Sequence, residues 1–346
     1  MRDRSEAVGS YNNIWVPQVP DFGTWDRQPP SIELHRRRPT FRNCPCRPLA
    51  LWLLIALLAA PLAAQETTLH LNVKLVSVFV NVTDRNGAVV GGLTRDDFAV
   101  SEDGRPQKIA VFERVSAVPL NIALAIDTSG SVQKDLPAEA GAARRFARDI
   151  LRPQDQMSVI QFATYVRQLT PFTNKPSVID RGLGELRGDF ATAMYDAIVL
   201  GSDKLGGKAG RKVLVIVSDG DDTVDDSTYA QALEQALRNQ VMIYSLIDVP
   251  IAASAGRDLG GEHALIALSE QTGGKYFYIG QGGLDKAFQQ VSEDLRTQYL
   301  LGYYPEHQAP GTDFHRITVT IPRAAPADFN IRYRTGYYAD TPANAD

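Results

Sequence analysis

Leu and Val alternate with polar or small residues from Leu69 to Asp84, in LHLNVKLVSVFVNVTD, which predicts a strand buried on one face. RNGAVVGG then turns the chain, and SEDGRPQKIAVFERV repeats the β texture with Asp103-Gly104 as a hairpin signal. From Pro119 the period changes. Short apolar runs, among them VLVIV at Val213–Val217, are separated by longer stretches of helical period, the pattern of a parallel sheet covered on both faces.

The predicted strands of this region are Leu120–Ile126, Met157–Phe162, Lys212–Val217, Met242–Ile247 and Lys275–Tyr278. The predicted helices are Glu139–Leu151, Ser177–Leu186, Ala193–Leu205, Ser227–Arg238, His263–Gln271 and Leu284–Arg296, with Ala252–Glu262 expected as a mobile loop. After Gln298 the period-two texture returns in QYLLGYYP, HRITVTIP and FNIRYRTGYYA. Ile317, Val319 and Ile321 are expected on one face, with Thr318 and Thr320 on the other. The fold class expected is therefore α/β, a doubly wound, mostly parallel sheet with flanking β-sandwich-like segments. The expected parts are a leader at 1–64, an N-terminal β segment at 66–117, the α/β domain at 118–297 and a C-terminal β segment at 298–340. Each β flank is too small for a good core of its own, so the two are expected to pair into one sandwich.

Composition changes the picture mainly at the start. Residues 1–47 are Arg- and Pro-rich without periodicity, and an uncharged run from Pro48 to Gln65 follows. Arg36–Arg38, Arg42 and Arg47 form a positive flank, Leu49–Ala60 an apolar segment, and Ala63-Ala64 small residues before a cut, so the run reads as an export signal. A retained membrane anchor is the alternative, against which the run is short and interrupted by Pro61. Both cysteines, Cys44 and Cys46, precede Gln65, so the exported protein is expected to lack thiol and disulfide chemistry. After position 64 there are 28 basic and 35 acidic residues, a net charge of about −7, which argues against nucleic acid or anionic lipid as the main partner.

The candidate chemistry lies in loops expected at the carboxyl ends of the parallel strands, where open α/β sheets bind ligands. DTSGS follows the first of these strands, FATAMYDA opens the helix at Ala193, and VSDGDDT follows Val217. All offer oxygen donors and none offers cysteine or imidazole, which suits Mg²⁺, or Mn²⁺ or Ca²⁺, better than zinc or copper. With Asp127, Ser129, Ser131, Thr192 and Asp219 converging, hydroxyls outnumber carboxylates and the ion stays electrophilic. A position left to the carboxylate of a protein partner would complete it. The bland readings are a helix cap for Asp127 and Ser129, an N-cap for Thr192 and a turn for Asp219-Gly220. Asp221, Asp222, Asp225 and Asp226 read as a solvated acidic rim.

Asp127-Thr128-Ser129-Gly130-Ser131 resembles the Asp-x-Ser-x-Ser motif of von Willebrand factor type A domains, with Thr192 and Asp219 resembling their second- and third-loop residues. Residues 68–340 also resemble secreted proteins of this type from Acidobacteria, in LTRDDFAVSEDGRPQKI before the domain and LGYYP…YRTGYYA after it. The resemblance implies a Rossmann-like domain with a metal-ion-dependent adhesion site. Ser129, Ser131 and, in one state, Thr192 would bind the ion directly, and Asp127 and Asp219 largely through water.

Competing chemistries fit less well. A haloacid dehalogenase-type phosphatase needs a carboxylate where Ser129 stands, dinucleotide binding needs a glycine-rich turn, and a serine hydrolase needs a placed histidine that none of His70, His263, His307 and His315 supplies. Three readings stay open: an exported protein-binding module with a divalent-cation adhesion site, a metal-dependent hydrolytic enzyme, and a structural envelope protein with a vestigial site. The first is favoured, because no general base stands beside the expected ion.

Overall fold

The computed structural model describes residues 75–114, 118–130, 132, 135–224, 226–248, 259–279, 283–305, 314–323 and 328–339. The leader, Cys44, Cys46 and Ser131 lie outside these residues.

The first β segment forms β1 (Val76–Asp84), β2 (Ala99–Glu102), β3 (Arg105–Gln107) and β4 (Ile109–Arg114). Asp103 and Gly104, at φ 50° and 79°, make the tight turn of the β2–β3 hairpin, the backbone region that Asp-Gly accepts at least strain. The apolar runs after Pro119 become β5 (Leu120–Asp127), β6 (Gln156–Phe162), β8 (Arg211–Ser218), β9 (Val241–Ile247) and β10 (Tyr276–Tyr278), which are parallel in the order β10-β9-β8-β5-β6. A short β7 (Val166–Gln168), which the periodicity did not mark, adds an antiparallel edge beside β6.

Every residue of β5 is buried. Ile122, Leu124 and Ile126 face a layer made by α1 (Leu136–Ile150), α2 (Pro176–Gly184) and α6 (Gly283–Arg296), in which Phe146 stacks on Phe288. Ala123 and Ala125 face the opposite layer of α3 (Met194–Gly206), α4 (Tyr229–Arg238) and α5 (Leu259–Gln271). Apolar residues on both faces of one strand are what a doubly wound sheet requires. Helix α5 begins at Leu259, four residues inside the stretch expected to be a loop; residues 252–258 lie outside those described.

The returning β texture forms β11 (Tyr299–Tyr303), β12 (Phe314–Thr320), β13 (Phe329–Arg332) and β14 (Gly336–Tyr338). One sheet runs β13-β1-β11-β4 and a second runs β14-β12-β2-β3, so each mixes strands from before and after the α/β region. Between them, Val78, Val80, Leu301 and Tyr303 of the first pack with Val100, Ile317 and Val319 of the second. The strict alternation of β12, with Ile317 and Val319 buried and Thr318 and Thr320 exposed, places one face in this core.

A buried polar network joins this sandwich to the α/β layers. Asp294, near the end of α6, accepts from the Tyr244 hydroxyl at 2.7 Å and pairs with Arg332, and its carbonyl accepts from Asn81 Nδ2 at 2.9 Å. Gln298 donates to Asn81 Oδ1 at 3.0 Å. Among the described residues no helix is long and apolar enough to cross a membrane.

Candidate metal centre

The chain runs from β5 outward to β6, then returns to place β8 on the other side of β5. The strand order therefore reverses between β5 and β8, and the carboxyl ends of that pair open a crevice of the kind that receives ligands. Asp127 is the last residue of β5 and Ser218 the last of β8, so the sheet itself delivers both to the crevice.

Asp127 is almost wholly buried. Its Oδ1 accepts from the Ser129 backbone N–H at 2.8 Å, and its Oδ2 accepts from the Ser218 hydroxyl at 2.7 Å. Burial pushes its carboxyl up to about 6, partly countered by these two donors, with the charge of Asp219 adding to the rise. Ser218 also receives the Gly220 N–H at 3.1 Å, which shapes the turn after β8. Gly220 sits at φ +96°, and a Cβ there would meet the Glu262 backbone nitrogen at 2.9 Å. Only glycine satisfies both the conformation and this approach to α5.

The other two loops are tied to the first. The Asp189 N–H donates to the Thr128 carbonyl at 3.0 Å, joining the loop before α3 to the loop after β5. The Thr192 N–H donates to Thr223 Oγ1 at 2.8 Å, and the Thr192 carbonyl accepts from the N–H groups of Thr223 and Val224. Asp222 Oδ1 accepts from the Met194 N–H at 2.7 Å, satisfying a donor of the first turn of α3. Ala193, not Thr192, is the N-cap of that helix and makes no side-chain cap, so Thr192 is held buried by the third loop without serving as a cap.

Two carboxylates not foreseen stand near these loops. Glu139 lies in the first turn of α1, 5% exposed, and its Oε2 has no hydrogen-bond partner among the described residues. Burial, followed by the charges of Asp248, Asp127, Asp135 and Asp219, pushes it up to about 8. Asp248 follows β9, where its N–H donates to the Ser218 carbonyl at 3.0 Å. Burial raises its carboxyl too, with Asp135 and Asp219 contributing. Among the described residues, the charges that act on Glu139 and Asp248 are those of other acids.

Of the predicted ligands, Asp127, Ser129 and Thr192 are buried at the crevice, and Asp219 is half-buried and coupled electrically to Asp127. Ser131 lies outside the described residues. His263 is exposed. Ser218 was legible as the residue before Asp219. Glu139 carried a signal as well, because it shares with Ala143, Phe146 and Ile150 the buried stripe of α1, where a lone charge needs a reason.

The donor set fits a hard divalent cation. It comprises hydroxyls and carboxylates, with Asp219 close enough to raise the proton affinity of Asp127, and both close enough to raise that of Glu139. Residues 122–221 match the family model of the von Willebrand factor type A domain. No curated protein matches the chain. Similar solved structures include an aerotolerance-related membrane protein from Bacteroides fragilis, at 17% identity over 51% of this chain and 98% of that one, with a TM-score of 0.41. The von Willebrand factor domain of a type V pili tip protein from Porphyromonas gingivalis matches at 11% identity over 51% and 94%, with a TM-score of 0.41. A von Willebrand factor type A protein from Catenulispora acidiphila matches at 12% identity over 75% and 73%, with a TM-score of 0.44.

Proposed function

The chain carries a von Willebrand factor type A domain, and on that premise we propose that it is an exported protein-binding module that engages an acidic group of a protein partner through a divalent cation. Ser129, Ser131 and, in one state, Thr192 would hold the ion directly, with Asp127 and Asp219 acting largely through water. The bound ion would supply positive charge among the acids and a coordination position for the partner's carboxylate; Mg²⁺ is favoured, with Mn²⁺ or Ca²⁺ as substitutes.

The observation that carries this reading is the gathering of buried Asp127 and Glu139 with half-buried Asp248 near the switch point, where burial and neighbouring acids raise all three carboxyls. A divalent cation among them would favour the ionised forms that burial and the neighbouring acids disfavour. The Asp127 carboxylate already has both oxygens directed by donors, as a group acting through water should. Export rests on the sequence from Arg36 to Gln65.

The test is Mg²⁺-dependent thermal stabilisation of chelator-treated wild type and Asp127→Ala, with isothermal titration of the ion. The wild type is expected to gain several degrees and the variant to gain little. Equal responses of the two would remove the adhesion site. A response in the wild type together with turnover of ester or phosphoester substrates would favour the hydrolytic alternative.

A further inference from the structure

A second group of ligand atoms stands outside the α/β region, at one end of the sandwich core. Glu102 ends β2, Asp103 begins the turn after it, and His315 lies on β12, which pairs with β2. A carboxylate oxygen of Glu102, one of Asp103 and a ring nitrogen of His315 all lie within 4.8 Å of one another. Glu102 and His315 are buried and Asp103 is exposed, so the cluster has a buried base and an open side.

The hydrogen bonds divide each carboxylate into a held oxygen and an offered one. Glu102 Oε2 accepts from the hydroxyls of Tyr303 at 2.6 Å and Tyr337 at 3.0 Å. Asp103 Oδ1 accepts from the Arg316 N–H at 2.8 Å. The other two oxygens face the His315 ring, where Nδ1 is 2.8 Å from Asp103 Oδ2 and 3.8 Å from Glu102 Oε1. Ligand bonds of about 2.1 Å at a tetrahedral ion place donor atoms about 3.4 Å apart, between the two distances seen. Outer donors that fix one oxygen of each carboxylate are what orients ligands around a metal. His315 is itself fixed by stacking on Tyr337, with ring centroids 5.3 Å apart.

The geometry points to Glu102, Asp103 and His315 as a site for a borderline divalent cation, of which zinc is the type. An imidazole with two carboxylates suits zinc, cobalt or nickel over magnesium or calcium, which separates this site by its chemistry from the one at β5. Neutral imidazole is the ligand form of histidine in such sites. The role is a staple. Glu102 and Asp103 come from the segment before the α/β region and His315 from the segment after it, and no cysteine follows Cys46 to cross-link them. Solvent at the Asp103 side leaves room for a water or a further ligand.

Elemental analysis after equilibrium dialysis tests this, with the whole chain first stripped by chelator and then held in excess Mg²⁺ against limiting Zn²⁺. One zinc per chain is expected in the wild type and in Ser129→Ala. Asp103→Asn is expected to weaken zinc binding by at least about tenfold, and His315→Gln to abolish it. Co²⁺ in place of Zn²⁺ is expected to give the visible bands of a nitrogen and oxygen site, lost in His315→Gln. Absence of bound zinc in the wild type, or equal binding by wild type, Asp103→Asn and His315→Gln, overturns the assignment. Should His315→Gln fail to fold, Asp103→Asn decides alone, because its half-exposed side chain can change without opening the core.

Discussion

Glu139→Gln should make the metal-free protein more stable at neutral and alkaline pH, although it deletes a charge from a solvent-soluble residue type. The carboxyl moves from an ordinary 4.5 to about 8 on folding, because burial and four neighbouring acids disfavour its ionised form. The sign follows from which state releases its proton first. Between pH 4.5 and 8 the unfolded chain ionises Glu139 while the folded chain keeps it protonated, so stability falls as pH rises through this window. The slope is at most about 1.4 kcal/mol per pH unit, and the whole window amounts to about 5 kcal/mol as an upper bound. Water entry and local relaxation reduce such penalties, so about 1–3 kcal/mol is expected at pH 8. Asp127 adds a loss of the same sign, complete by about pH 6, so the interval from pH 6 to 8 belongs to Glu139. Glutamine imitates the protonated acid in size and hydrogen bonding. Urea unfolding in chelator at half-unit pH steps should therefore show a falling wild-type curve and a flat variant between pH 6 and 8. Excess Mg²⁺ should restore part of the wild-type loss. A variant that keeps the wild-type slope, or is less stable than wild type at pH 8, would refute the placement of Glu139 among those charges.

Two further substitutions test the scaffold. Gly220→Ala imposes a Cβ on a backbone at φ +96° and against the nitrogen of Glu262, so it should destabilise by about 1–3 kcal/mol in urea unfolding and weaken Mg²⁺ binding by shifting the third loop. Tyr244→Phe removes the buried hydroxyl that donates to Asp294 at 2.7 Å; thermal unfolding should register a loss of about 1–3 kcal/mol, and an unchanged midpoint would show that Arg332 alone satisfies that carboxylate.

The sequence carried the strands and helices of the α/β layers because each element is local. Leu120–Ile126 is apolar on both sides and only a doubly covered strand uses that pattern, while the amphipathic stretch from Leu284 to Arg296 declares a helix with one buried face. That Asp127 and Ser129 lie together was legible for the same reason, since one short loop holds both. Edge strand β7 was not, since three residues, two of them exposed, have too little period to register. Glu139 was missed because its meaning depends on which way α1 faces, and the helix-forming residues around it make it look like an ordinary surface acid. Glu102 and His315 were missed for a different reason. They meet only because β2 and β12 pair across more than two hundred residues, and no local spacing records that.

The sandwich receives the α/β region between β4 and β11, and those two strands lie side by side with Arg114 opposite Tyr299. Its first and last residues must therefore return to within one strand spacing of each other, roughly 5 Å. Until the intervening segment has folded, that closure opposes a long-loop entropy, and pairing of β1 or β4 with β11 gains nothing locally. Folding should then be ordered: the parallel sheet first, acting as its own loop closure, and the two antiparallel sheets afterwards, with their early strands held waiting as unpaired edges. The vulnerable species during synthesis is the chain that has β1 to β4 but not yet β11, and its exposed strands are where aggregation would begin.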